Sequence, residues 1–89
     1  MAKYHYVYVL CSQKDRKFYV GYTKNVQKRV EQHNSGKVRA TKRRLPMKLI
    51  YWEGCINQQD AASREKYLKT AWGKRYIKVR VKGYLTGVI

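Results

Sequence analysis

Apolar and polar residues alternate over residues 4–11. Tyr4, Tyr6, Tyr8 and Leu10 share one face, and His5, Val7, Val9 and Cys11 share the other, which predicts a strand. Ser12-Gln13-Lys14-Asp15 reads as a turn, and residues 18–22 read as a second strand, so 4–22 forms a predicted β-hairpin. With a four-residue loop at 12–15, Tyr8 is expected opposite Tyr19. Asn25 can cap a helix over about 26–35, and Gly36 can end it. Residues 37–46 read as a loop holding the only proline, Pro46, and 47–55 as a third strand. Asn57 and Asp60 resemble a capping box for a helix running to about Trp72, with Gly73 as its stop. The periodicity near 75–82 fits a short helix or a strand. The order ββαβα, with a further element near 75–82, predicts an α+β domain with a mostly antiparallel sheet.

Composition narrows the class. The 89 residues allow one domain, 1–89. A hydrophobic share of 44% argues against intrinsic disorder. No apolar run nears the roughly 18 residues a transmembrane helix needs, and the N-terminus does not read as a signal peptide, so a cytoplasmic protein with no membrane role is expected. Cys11 and Cys55 stand far apart and read as small buried hydrophobes, not as a disulfide or zinc site.

Charge changes the picture most. Against 21 basic residues stand 5 acidic ones, a net +16. Such an excess calls for a polyanionic partner, most often nucleic acid. The cations cluster: Lys37, Arg39, Lys42, Arg43, Arg44 and Lys48 form one block, and Lys74, Arg75, Lys78, Arg80 and Lys82 another. The interleaved aromatics Tyr51, Trp52, Trp72, Tyr76 and Tyr84 are expected mostly in the core, with base stacking as the alternative.

Three positions break the ordinary pattern. Ala61, Glu65, Leu68 and Trp72 share one helical stripe, and a carboxylate on a core-facing stripe needs a partner, either a cation such as arginine or a metal ion. Arg29 and His33 lie four residues apart, beside Val26 and Val30, so they project at the edge of a buried face. An arginine snorkelling beside a hydrogen-bonded histidine is the plain alternative. Tyr8 and Tyr19 share a face, as packing tyrosines or as a reactive pair, and Gly21 removes a side chain from that face. Together these residues offer phenols, a guanidinium, an imidazole and a carboxylate beside a basic surface.

Tyr6-Val7-Tyr8, Tyr19-Val20-Gly21, then Arg29, His33 and Glu65 resemble the GIY-YIG nuclease superfamily over nearly the whole chain. The likeness is greatest to short stand-alone members related to the N-terminal nuclease domain of the excinuclease subunit UvrC. Tyr6 replaces the family's glycine, Val20 replaces isoleucine, and no asparagine follows Asn57, where many members carry one further on. The resemblance implies a three-stranded antiparallel sheet flanked by helices. It also implies a metal-dependent DNA endonuclease with Tyr8 as general base, helped by Tyr19, Arg29 and His33. Glu65 would hold one Mg²⁺ or Mn²⁺. Nearby cations would lower the Tyr8 pKa. DNA, branched or flapped forms included, would be gripped by Lys37, Arg39, Lys42, Arg43, Arg44, Lys74, Arg75 and Lys78. RNA remains open as a ligand, as do a protein partner and a role in repair or recombination, and a monomer is expected. The competing classes are a binding module of the same fold with little or no nuclease activity, and a basic RNA-associated structural protein.

Overall fold

The computed structural model describes residues 3–87. Strands β1 (His5–Ser12), β2 (Phe18–Thr23) and β3 (Met47–Cys55) form one antiparallel sheet in the order β2-β1-β3. Helix α1 (Val26–Asn34) packs on one face. Helices α2 (Gln58–Leu68) and α3 (Ala71–Arg80) pack on the other, and a short α4 (Lys82–Thr86) follows. The fold is the predicted α+β sheet flanked by helices, and the undecided segment near 75–82 is helical.

The two faces of β1 explain the layering. Val7 and Val9 join Val20, Ala61, Leu68, Ile77 and Val81 in the larger core. Tyr8 and Leu10 join Met47 on the opposite face, packed by Tyr19, Val26, Val30 and Leu49. A bulge in β3 interrupts strict alternation: Val9 faces Tyr51 but Leu10 faces Leu49, so Ile50 is the extra residue. Ile50 and Tyr51 consequently pack on the same core.

The hairpin register differs from the expectation. Tyr8 pairs with Gly21, and Tyr19 pairs with Leu10. The turn is longer than four residues because Ser12 organises it. The Ser12 hydroxyl accepts from the Lys14 and Asp15 amides at 3.1 Å each, and its own amide donates to the Lys17 carbonyl. Arg16 turns the chain with φ of 63°. Asp15 then accepts from the Lys17 amide and binds Arg44 at 2.9 Å.

Local capping fixes the helices. The Asn25 side chain accepts from the Lys28 amide at the start of α1. At its end the Gly36 amide bonds the His33 carbonyl and the Lys37 amide bonds that of Gln32, a Schellman closure with Gly36 at φ of 79°. Asn57 caps α2 through the Gln59 and Asp60 amides. The expected helix to Trp72 instead ends at Leu68. Thr70 donates to the Tyr67 carbonyl and accepts from the Gly73 amide, so its hydroxyl closes α2 and caps α3. Gly73 is therefore no stop: it lies buried inside α3, and a Cβ there would stand 2.2 Å from the Tyr67 carbonyl oxygen. Trp72 leaves the core stripe and is exposed.

Tyr51, Tyr76 and Tyr84 pack against the core as expected, whereas Trp52 and Trp72 are exposed. Cys11 is buried and Cys55 half-buried, both as free thiols. Among the described residues, no helix is long and apolar enough to cross a membrane.

Candidate active site around Tyr8

Tyr8 sits on the central strand, and its ring reaches across the bare backbone of Gly21 toward the β2 edge. A Cβ at Gly21 would stand 2.4 Å from both the Tyr8 Cζ and its hydroxyl oxygen. The glycine is thus what lets the phenol lie where it does.

Three elements converge on that phenol. From α1, His33 Nε2 hydrogen-bonds the Tyr8 hydroxyl at 2.8 Å, and Arg29 Nε donates to it at 3.4 Å. From the 37–46 loop, the Thr41 hydroxyl bonds His33 Nδ1 at 2.7 Å. From β2, the Tyr19 ring meets the His33 ring edge-on with centroids 5.0 Å apart, and lies 6.4 Å from the Tyr8 ring. Tyr8, Tyr19, Arg29 and His33 are therefore one cluster, as the sequence suggested, although the tyrosine pair is diagonal and not directly opposite.

The electrostatics follow from burial. Tyr8, His33 and Thr41 are almost wholly enclosed. Desolvation, aided by the Arg29 charge, pulls the His33 pKa down to about 4, so the ring is neutral at pH 7. A neutral imidazole has one donor and one acceptor nitrogen, and the rotatable Thr41 hydroxyl satisfies either tautomer. The Tyr8 pKa is raised, not lowered as expected: burial outweighs the Arg29 hydrogen bond, and the neighbouring Tyr19 phenol and Glu65 carboxylate add to it. Arg29 itself bonds Gln32 at 2.9 Å, and among the described residues no carboxylate pairs with it. Its charge is left for an incoming anion.

Glu65 stands at the margin of its stripe. Ala61 and Leu68 are fully buried, while the Glu65 side chain keeps a quarter of its surface exposed. Its partner is Lys69 at 3.1 Å, one helical turn on, rather than an arginine. Its charge reaches Tyr8, but no hydrogen bond joins it to the cluster among the described residues. No group of three or more His, Cys, Asp or Glu side chains that could hold a metal occurs among those residues. Two of the other acids are engaged elsewhere: Asp15 with Arg44, and Glu53 with Arg64 at 2.7 Å and the Tyr51 hydroxyl at 2.8 Å. A single, partly exposed carboxylate fits a hard cation that takes its other ligands from water and phosphate, and does not fit an all-protein cage.

The basic surface is assembled from both sequence blocks. Arg44 joins Lys74 and Lys78 around a cavity of about 490 Å³, with Arg16, Lys17, Phe18 and Leu85 completing the wall. Lys37, Arg39, Lys42 and Arg43 are exposed along the loop, and Arg75 lies over the exposed Trp72 ring at 4.9 Å. Arg16 and Lys17 were not singled out by the sequence, since they sit in a hairpin turn. Thr41 was also missed. A lone threonine among loop cations carries no periodic signal, and only the fold brings it to His33.

Comparison with known proteins bears on the family and the fold. The sequence model of the GIY-YIG catalytic domain matches residues 4–78. A UPF0213 protein of Clostridium perfringens is 44% identical over 66 residues, covering 73% of this chain and 70% of the relative. One from Staphylococcus haemolyticus is 45% identical over 71 residues, covering 79% and 84%. The solution NMR structure of a UPF0213 protein from Bacillus halodurans superposes with a TM-score of 0.57 at 30% identity, covering 91% of this chain and 89% of that one. The triads around Tyr8 and Tyr19, the sheet order and the solved neighbour lead to one assignment: the chain belongs to the GIY-YIG catalytic domain family.

Proposed function

We propose that this protein is a metal-dependent DNA endonuclease that hydrolyses phosphodiester bonds with structure-selective or weak sequence preference. The observation that carries the reading is the enclosed Tyr8–His33–Thr41 chain, with the Arg29 guanidinium beside the phenol and no carboxylate paired with it among the described residues. A sheet needs no such polar chain for packing, since buried polar groups cost stability unless every partner is supplied.

In this reading Tyr8 is the general base that accepts a proton from the attacking water. His33 holds the phenol in place, and its Nε2–H tautomer donates to the Tyr8 oxygen and favours the phenolate. In that tautomer Nδ1 is the acceptor, and the Thr41 hydroxyl donates to it at 2.7 Å. Tyr19 flanks the attacking water. Arg29 neutralises charge growing on the phosphoryl oxygens. Glu65 would hold one Mg²⁺ or Mn²⁺, which supplies charge neutralisation at the scissile phosphate and lowers the pKa of groups beside it. The cations on the loop and on α3 grip the phosphate backbone without reading sequence. A cytoplasmic role in DNA repair or recombination is consistent with that chemistry, and RNA is the alternative polyanion.

The test is cleavage of a labelled panel of single-stranded, duplex, flap and four-way-junction DNA, and one RNA, with Mg²⁺ or Mn²⁺. Wild type is run beside Tyr8→Phe and Glu65→Ala. Metal-dependent products that vanish in both variants support the nuclease. Salt-sensitive binding without cleavage of any substrate supports a binding module instead.

A further inference from the structure

We propose that Tyr6 and Trp52 form a stacking subsite for one unpaired nucleobase beside the Tyr8 cluster, with Lys24 holding that nucleotide's phosphate; the proposal rests on the nucleic-acid reading above. Trp52 is 54% exposed although it is the cross-strand partner of the buried Tyr8. Tyr6 lies two residues from Tyr8 on the same face of β1, and its ring meets the Trp52 indole at 72° with centroids 5.6 Å apart. Opposite Tyr6 stands Gly54, where a Cβ would come within 2.9 Å of the Tyr6 ring, so the ring lies across bare backbone. Tyr4, 48% exposed, continues the aromatic wall at 6.4 Å.

Tyr6 and Trp52 line an open cavity of about 340 Å³ with Lys24, Asn25 and Val26. A second, mostly apolar hollow of about 380 Å³ lies along Trp52 as well, walled by Val26, Val30 and Leu49, with Gln27 and Glu31 also lining it. The indole is thus a fin between two hollows. The corner made by two aromatic rings suits one flat, polar-edged ring better than an aliphatic side chain. The charged residue of the first cavity is a lysine, which matches a phosphate, and the chain's net charge of +16 recruits polyanions. The Asn25 Oδ1 is committed to the Lys28 amide, which leaves its amide nitrogen oriented by the cap and able to donate to a base edge. A base inside a duplex is already stacked on both faces, so only an unpaired or extruded base can use this corner.

Trp52 and Trp72 are the only two tryptophans, so Trp72→Phe leaves Trp52 as the sole indole reporter. That protein is titrated in EDTA with a thymidine oligomer and with a blunt duplex of equal length. The expected result is quenching by the oligomer and little by the duplex. In the otherwise wild-type chain, Trp52→Ala and Tyr6→Leu should each weaken oligomer binding by roughly 10-fold while duplex binding changes less than 2-fold. Circular dichroism checks that each variant is folded. Absent quenching, equal quenching by the duplex, or unchanged oligomer affinity in both variants overturns the subsite and leaves the exposed wall to a protein partner. The two readings fail separately. Quenching without cleavage of any substrate defeats the nuclease and keeps the subsite, whereas cleavage with unaltered selectivity in Trp52→Ala does the reverse.

Discussion

Tyr8 and Gly21 face each other across the hairpin so closely that the phenol oxygen occupies the place of a Gly21 side chain. Gly21→Ala should therefore push the ring off His33 while leaving the sheet paired. The expected outcome is loss of cleavage together with a stability loss of about 1–3 kcal/mol, the usual range for overpacking. For a domain this small each kcal/mol lowers the melting temperature by roughly 4–8 °C. Wild-type melting and wild-type rates in Gly21→Ala would contradict the arrangement.

Tyr8→Phe keeps the ring and removes the proposed base. His33 Nε2 then loses its partner in a buried setting, which should cost roughly 1–3 kcal/mol. Cleavage should fall by several orders of magnitude and DNA affinity should hold. Calorimetry and a cleavage assay on the same preparation separate the two effects.

Thr41→Val tests the far end of the chain. It leaves His33 Nδ1 unpaired, whereas Thr41→Ser keeps the hydroxyl. The valine variant should be destabilised by about 1–3 kcal/mol and cut more slowly, with both defects largely repaired by serine. Equal behaviour of the two variants would mean that Thr41 acts through packing alone.

The depressed His33 pKa has a definite consequence for stability. The unfolded chain takes up a proton near pH 6.5 and the folded chain only near 4, so the unfolded state binds more protons between these values. Stability is full above about pH 6.5 and falls as pH drops toward 4, by at most about 3 kcal/mol. Asp15, held down to about 2 by Arg44, adds its loss only below its ordinary value of 3.8. Urea unfolding across pH 4–7 should show the first slope, and His33→Gln should flatten it.

Binding should follow counterion release. The logarithm of affinity is expected to fall linearly with that of salt concentration. Lys74→Ala with Lys78→Ala, which strips two cations from the Arg44 cavity, should reduce the slope by about 2. An unchanged slope would place the DNA elsewhere.

Much of this molecule was legible before its fold was known. Alternation gave the strands, Asn25, Gly36 and Asn57 gave helix ends, and the spacing of the tyrosines, Arg29 and His33 brought them to one site. What escaped were decisions made by single hydroxyls and by close packing. Ser12 lengthened the hairpin turn and shifted Tyr19 away from Tyr8. Thr70 split one expected helix into two and freed Trp72 from the core. Burial reversed the expected direction of the Tyr8 pKa, because enclosure depends on what lies above the ring and not on its neighbours in sequence.

The loop between α1 and β3 is pinned at both ends. Asn34 clasps the backbone of Met47 at 2.8 and 2.9 Å, and Ser12 holds the Arg44 carbonyl at 2.6 Å. It carries exposed cations on its outside and Thr41 on its inside. The segment that would feel the substrate's charge is thus mechanically the segment that orients the buried histidine. A loop transplanted from a relative to alter substrate grip would retune the histidine as well, so in this scaffold specificity and chemistry cannot be engineered independently.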